Sequence, residues 1–459
     1  MRTISFFGAA ETVTGSRHLI TVGESRILVD CGLFQGNRET RQRNWEPFPV
    51  DPASIDALVV THAHIDHIGW IPRLVDQGFN GPIYATAATI SLAGLSLPDS
   101  ARLQEEEAYH SNKHGSRHEP ALPLYTEEMA LRCLKQFRPV RYDSASPLPG
   151  GVSFRFLPAG HILGSAFAEL TFDDGVKLLM SGDLGRYNTP IIRDPAVVES
   201  ADYLVVESTY GNRVHAHEDV EGKLGHVLAD AWENGNTVIV PSFSIGRTQE
   251  LLYYMSRLQN AGKMPRIPVY VDSPMASLAT RIYASAQEEH DEEMTLSLKL
   301  KRSELEPEGV QSIRDAEQSK ELNSRRGPLV IIAGSGMANG GRVVHHLFHR
   351  LCDPKTVVLF TGYQAEGTLG RRLVDGEKTV RIFRQEISVA ARIEKLNSLS
   401  AHADSNEILQ WLGNFKSPPK RTFIVHGEPP AQAALQERIQ RELGWTSSIP
   451  HQGEEFRLD

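Results

Sequence analysis

The chain has 459 residues, 40% hydrophobic and 23% charged, and carries a formal net charge of −9. That length exceeds one ordinary core, so two domains are expected, and the composition is that of a folded chain. No apolar run approaches the ~18 residues that span a bilayer, and the acidic balance excludes wholesale electrostatic wrapping of nucleic acid, though not a local groove charged by bound metal ions.

The opening stretch, MRTISFFGAAETVTGSRHLI, lacks the continuous apolar core of a secretory signal. Short apolar runs broken by Gly, Asp and Pro follow through the first 200 residues: TISFFG, HLITV, RILVDCG, IDALVVTHAH, VSFRFLPAG, AFAELTF and VKLLMSGD. These predict strands of a sheet sandwich with functional loops at one edge. The charged stretch 100–120, with His110, His114 and His118, predicts a solvated helical excursion. From about 208 the pattern alternates helix and strand: HVLADAWENG, NTVIVPSF, GRTQELLYYMSRLQNAG, IPVYVDSPMA, GPLVIIAGSGM, GRVVHHLFHRL and TVVLFTGYQ. That rhythm predicts a parallel α/β sheet. Residues 288–311 are polar and read as a surface insertion. After about 385 short strand-like pieces with histidines return, in LNSLSAHAD and TFIVHGE. One domain interrupted by another is the simplest account: 1–208 and 385–459 form the first, and 209–384 the insert. Cys31, Cys133 and Cys352 are far apart and form no C-x-x-C, which fits a reducing, cytoplasmic setting.

The densest chemistry is HAHIDH. His62, His64, Asp66 and His67 stand directly behind an apolar strand, and imidazole and carboxylate are ordinary zinc ligands. A short loop after a strand aims alternating residues apart, so His62 and His64 are assigned to one ion, Asp66 and His67 to a second. His161 in LPAGHILG, Asp183 in LLMSGDLG and His426 in TFIVHGE each follow an apolar strand beside a glycine. That shared context makes them the expected further ligands.

Asp30 in LVDCG, the HAHIDH cluster, His161 and Asp183 together resemble the metallo-β-lactamase fold. His64, where the diiron flavoproteins of that fold carry Glu, favours the zinc hydrolases. Glu207 in VVESTYGNR, His402 in LSAHAD and His426 in IVHGE resemble motifs A, B and C of the β-CASP nucleases, as do PSFSIGRTQELL, DSPMA, GSGMANGGR and GYQAEGTLGRRL. The resemblance spans essentially the whole chain and is nearest to bacterial and archaeal relatives of the pre-mRNA 3′-end cleavage factor. Glu207 and His426 side with the branch that acts on RNA. No KH region is expected ahead of the first strand.

The resemblance implies an α/β protein: an αββα metallo-β-lactamase sandwich interrupted by a parallel α/β β-CASP domain. It implies two Zn2+ ions per chain. His62, His64 and His161 are expected on one, Asp66, His67 and His426 on the other, with Asp183 bridging and Asp30 orienting a ligand imidazole. The implied reaction is hydrolysis of single-stranded RNA by a metal-activated hydroxide, giving 5′-phosphate and 3′-hydroxyl ends. His402 is the expected general acid and Glu207 its carboxylate partner. Endonuclease action is the expectation, with 5′-to-3′ exonuclease action left open; a thioesterase, a lactonase and a non-catalytic scaffold are the alternatives. Ser400, Arg247, Ser335, Gly336 and Met337 are candidate RNA contacts, the last three as backbone donors before a helix, against the reading of an ordinary strand-to-helix turn. No membrane partner is implied, and a homodimer stays open.

Overall fold

The computed structural model describes residues 1–114, 120–300, 304–365, 367–396 and 398–459. His118 and residues 301–303 of the polar insertion, both expected at the surface, lie outside them. The chain divides into two compact units. One comprises Met1–Thr189, Arg193–Val214 and His402–Asp459; the other comprises Pro190–Ile192 and His215–Ala401.

The first unit is built on two seven-stranded sheets. Period-two alternation decides which side chains meet between them. Ile20, Ile27, Val29 and Val59 from one sheet meet Phe154, Phe156, Leu178, Met180, Val205 and Phe423 from the other. The intervening residues Leu179, Leu204, Val206 and Ile424 face the opposite way, where Ile408, Trp411, Leu412, Leu435 and Ile439 cover them. In the other sheet Leu19, Leu28 and Leu58, which alternate with that inner set, are buried too. Both sheets are therefore covered on both faces, as an αββα sandwich requires.

Parallel pairing sets where the loops emerge. Lys177–Met180, Tyr203–Glu207 and Arg421–Val425 run parallel and adjacent, with Met180 opposite Val205 and Glu207 opposite Val425. Ser25–Val29 and Ala57–Val59 are parallel neighbours in the other sheet. Parallel neighbours end on the same side of a sheet, so Asp183, Glu207 and His426 leave three adjacent strands at one edge. Asp30 and the HAHIDH segment leave two adjacent strands of the facing sheet.

The second unit carries a six-stranded sheet, ordered Val310–Ser312, Val269–Asp272, Leu329–Ala333, Thr237–Pro241, Thr356–Phe360 and Arg392–Lys395, parallel throughout. Its central strands are apolar on both faces. Val238, Val240, Val330 and Ile332 enter one core; Ile239, Leu329, Ile331 and Val358 enter the other. Continuous apolar strands are what a doubly covered parallel sheet needs. The helix Val220–Asn234 starts at Asp219, whose carboxylate accepts from Gly222 N–H, and stops at Gly235, left-handed with φ +67°.

Two segments differ from expectation. The sequence placed the return to the first domain at 385, yet Arg392–Lys395 pairs with Thr356–Phe360 in the second unit, and the first unit resumes at His402. The polar insertion, expected at the surface, is partly buried among its described residues: His290, Met294 and Leu305 are buried, and Val310–Ser312 forms the edge strand. Asp291 caps the helix Glu292–Lys299 and turns Met294 inward. Residues 100–114 of the charged stretch belong to a helix running Ala87–His114, on which Glu106, Glu107 and His110 are exposed. No helix among the described residues is long and apolar enough to cross a membrane.

Candidate metal centre

The strand exits bring Asp183 to the middle of a group of imidazoles. Its Oδ2 lies 3.3 Å from His62 Nε2 and 3.4 Å from His161 Nε2. Its Oδ1 lies 3.2 Å from His67 Nε2 and faces His426. His64 completes the first set through Nδ1, 3.2 Å from His62 Nε2 and 3.0 Å from His161 Nε2. Asp66 completes the second: His426 Nε2 is 3.2 Å from His67 Nε2 and 3.5 Å from Asp66 Oδ2. His62, His64, His161 and Asp183 thus converge at one point, and Asp66, His67 and His426 at another.

The donor chemistry fits metal ions. Ligands bound tetrahedrally at about 2.0–2.1 Å stand roughly 3.3 Å apart, close to the separations within each set. Asp183 Oδ1 is buried with no hydrogen-bond partner, a costly state for a carboxylate oxygen unless an ion meets it. Burial lowers the pKa of His62, His64 and His161, that of His64 to about 3. These imidazoles are therefore neutral near pH 7, with lone pairs available for coordination.

Three of the imidazoles are aimed by a second group. His67 Nδ1–H donates to Asp30 Oδ2 at 2.7 Å, which leaves Nε2 as the donor atom. Asp30 also accepts from the Thr61 N–H at 2.8 Å and the Thr61 hydroxyl at 2.9 Å. With that hydroxyl proton committed, the Thr61 oxygen accepts from His62 Nδ1–H at 3.1 Å. The Thr209 hydroxyl donates to the His426 carbonyl and accepts from His426 Nδ1–H, at 3.2 and 3.1 Å. Asp30 and His426 hold left-handed backbone, φ +58° and +50°, a conformation costing a non-glycine residue about 1–2 kcal/mol. Such strain persists where packing over-determines it.

Thr61 and Thr209 escaped the sequence reading. Both stand next to the motifs, Thr61 immediately before His62 and Thr209 two residues after Glu207. A hydroxyl beside a ligand imidazole is the signal that would have found them.

The third cluster is Asp183, Glu207 and His402. Glu207 is fully buried; its Oε1 accepts from Leu184 N–H at 2.8 Å and its Oε2 from Thr209 N–H at 3.1 Å. His402 Nδ1–H donates to Glu207 Oε1 at 3.0 Å. His402 is held by a bridge to Gly185 and retains 21% side-chain exposure. Burial opposes its charge, but Glu207 and Asp183 outweigh that and raise its pKa to about 9.

The expected RNA contacts sit in the second unit. Arg247 has 11% side-chain exposure; its guanidinium donates to the Thr361 carbonyl and faces Glu250. The helix after GSGMANGG begins at Arg342, so Ser335, Gly336 and Met337 lie in the preceding loop rather than at its first turn. Ser335 N–H is taken by the Gly340 carbonyl, and its hydroxyl accepts from Asn339 N–H. Ser400 is half-buried. On the following helix His346 is buried between Asp272 and Asn323, at 2.7 Å from each, while His345 and His349 are exposed.

Gly32 offers a direct test of how the cluster is seated. A Cβ there would fall 1.6 Å from the Asp66 carbonyl oxygen and 2.6 Å from His67 N. Gly32→Ala is expected to cost more than the ~1–3 kcal/mol usual for overpacking, because backbone must move. It should also lower metal content. Thermal unfolding and elemental analysis read both, and an unchanged protein would mean the turn is not fixed by this contact.

Three family models match the chain: the metallo-beta-lactamase superfamily over residues 14–206, the Beta-Casp domain over 248–373, and the Zn-dependent metallo-hydrolase RNA specificity domain over 386–450. The chain is 37% identical to a protein named Ribonuclease TTHA0252 from Thermus thermophilus, covering 94% of each. It is 30% identical to an RNase J-like protein from Methanocaldococcus jannaschii, covering 99% of each. It is also 30% identical to the Transcription termination factor FttA of Methanosarcina mazei, covering 96% of this chain and 69% of that protein. A solved structure of a protein of unknown function from Enterococcus faecalis has the same fold, with a TM-score of 0.57 at 14% identity and full coverage of both chains.

Proposed function

The chain belongs to the β-CASP family of metallo-β-lactamase-fold hydrolases, and from that premise we propose that it is a zinc-dependent ribonuclease cutting single-stranded RNA internally. The observation carrying this reading is Asp183, one carboxylate with an oxygen toward each imidazole set, beside a histidine braced by a buried glutamate. His62, His64, His161 and Asp183 would hold one zinc ion; Asp66, His67, His426 and Asp183 would hold the other. When bound, the pair supplies a water of lowered pKa as nucleophile and neutralises phosphate charge.

The chain's own residues do the rest. Asp30, Thr61 and Thr209 accept from the Nδ1–H groups of His67, His62 and His426, so that each turns Nε2 inward. Glu207 holds the Nδ1 proton of His402, which leaves the second imidazolium proton on Nε2. From Nε2 that proton passes to the departing 3′-oxygen of the upstream nucleotide. Ser400, two residues ahead of His402, is assigned to a phosphate oxygen. Ser335, Gly336 and Met337 are assigned to the RNA path of the inserted unit, and Arg247 to fastening the loop that begins at Thr361. Three free cysteines, two of them buried, suit a cytoplasmic enzyme.

Product ends test the reading. Zinc-loaded protein given labelled RNA, with either a 5′-monophosphate or a 5′-hydroxyl, is expected to yield internal fragments from both. Those fragments should carry 5′-phosphates and 3′-hydroxyls. A 2′,3′-cyclic phosphate would show the ribose hydroxyl to be the nucleophile and defeat the proposal. Mononucleotides from the 5′-monophosphate substrate alone would replace internal cutting with exonuclease action.

A further inference from the structure

We propose that Phe243 and Tyr363 form a stacking shelf on the inserted unit that holds unpaired RNA bases without regard to sequence. The inference rests on the ribonuclease reading for its ligand and goes beyond it in assigning a base-binding site.

The shelf lies where the parallel sheet delivers its loops. Phe243 follows the strand Thr237–Pro241 and Tyr363 follows Thr356–Phe360, and those strands are parallel neighbours. Both loops therefore emerge at the carboxyl edge of the sheet, the edge at which open α/β sheets bind ligands. Single exposed apolar residues are common and carry no message. Here two aromatic side chains, 49% and 44% exposed, stand on adjacent loops that are tied to the same glycine, one through its ring and the other through its backbone.

Gly336 joins them. A Cβ at Gly336 would lie 2.7 Å from the Phe243 ring, so the ring rests on bare backbone with no side chain between. The Gly336 carbonyl accepts from Gln364 Nε2 at 3.1 Å, and the same nitrogen lies 3.3 Å from the Gly362 oxygen and 3.1 Å from that of Tyr363. Gln364 itself is buried. One amide thus clamps the Tyr363 loop to the glycine that backs Phe243.

Both loops are fixed on their inner sides. The Thr248 hydroxyl and N–H donate to the Phe243 carbonyl, at 2.8 and 3.3 Å, and Ser242 N–H donates to Ala333 O. Arg247 donates to the Thr361 carbonyl. The backbone of both loops is held while each ring keeps close to half of its surface exposed, so ordering the loops costs little when a base arrives. A base offers a π-face whatever its identity, which makes such stacking tolerant of sequence. Duplex RNA keeps its bases stacked on one another and has no face to give.

Fluorescence anisotropy with a labelled single-stranded oligoribonucleotide and its abasic counterpart tests the shelf independently of cleavage. The full chain is expected to bind the ordinary strand on the order of tenfold or more tighter than the abasic one. The Phe243→Ala/Tyr363→Ala double variant should lose that discrimination, and Phe243→Trp should keep it. Unchanged thermal unfolding of the variants checks that the fold is intact. Equal affinity of the wild-type chain for both strands, or a double variant that discriminates as well as wild type, overturns the proposal. Discrimination without cleavage of any RNA would leave the shelf standing and remove the ribonuclease reading.

Discussion

Asp183→Asn is expected to abolish RNA hydrolysis and to lower metal affinity at both positions by at least about 100-fold. Loss of a group that merely orients a ligand costs about 10–100-fold, and Asp183 contacts both donor sets itself. The substitution preserves shape, so the effect isolates charge. Burial would by itself raise the pKa of Asp183; the surrounding imidazoles, His426 and His67 foremost, more than offset this and hold it well below the usual carboxylate range. The native side chain is thus an anion throughout the working pH range, whereas the amide is neutral and offers only one oxygen. Two dications facing Asp66 alone would be under-neutralised. Elemental analysis after dialysis against a weak chelator reads the affinity, and labelled RNA reads the rate. Asp183→Asn protein that kept both ions and cleaved normally would remove the bridging role.

How much of this was legible in advance depended on how local each signal was. HAHIDH after an apolar strand, and His161, Asp183 and His426 after three more, are local patterns, and the structure brings all seven side chains together. What pairs with them is not local. Asp30 meets His67 across 37 positions, and Thr209 meets His426 across 217. Which nitrogen of His64 faces inward is likewise set by His161, 97 residues on. The αββα and β-CASP assignments came from the family resemblance; that a sheet sandwich precedes a parallel α/β sheet followed from periodicity, because alternation in the first and continuous apolar strands in the second are properties of single segments. The extent of the insert did not. Val310–Ser312 and Arg392–Lys395 are polar edge strands, recognisable only by the neighbours they pair with.

His402→Ala is the second large expected loss, about 10²–10⁴-fold in kcat, the range typical of removing a general acid. Metal content should stay as in wild type, since His402 Nδ1 is committed to Glu207 and lies 3.9 Å from Asp183 Oδ2. Retained metal with lost turnover separates proton donation from metal binding. Glu207→Gln addresses the same step through the partner. The amide carries no charge to favour the imidazolium, and burial is then opposed by Asp183 and Asp66 alone, so the pKa of His402 falls from its native value of about 9. A general acid works only while protonated. The native rate is expected to hold through neutral pH and decline as pH rises through about 9; in Glu207→Gln the decline should begin at lower pH. A purely structural role for Glu207 would lower the rate equally at every pH, and a shift of the alkaline limb to higher pH would contradict the sign of the coupling. Because both substitutions act on one proton, Glu207→Gln in the His402→Ala background should add little to the loss. Losses that multiplied in the double variant would mean that the two side chains serve separate steps.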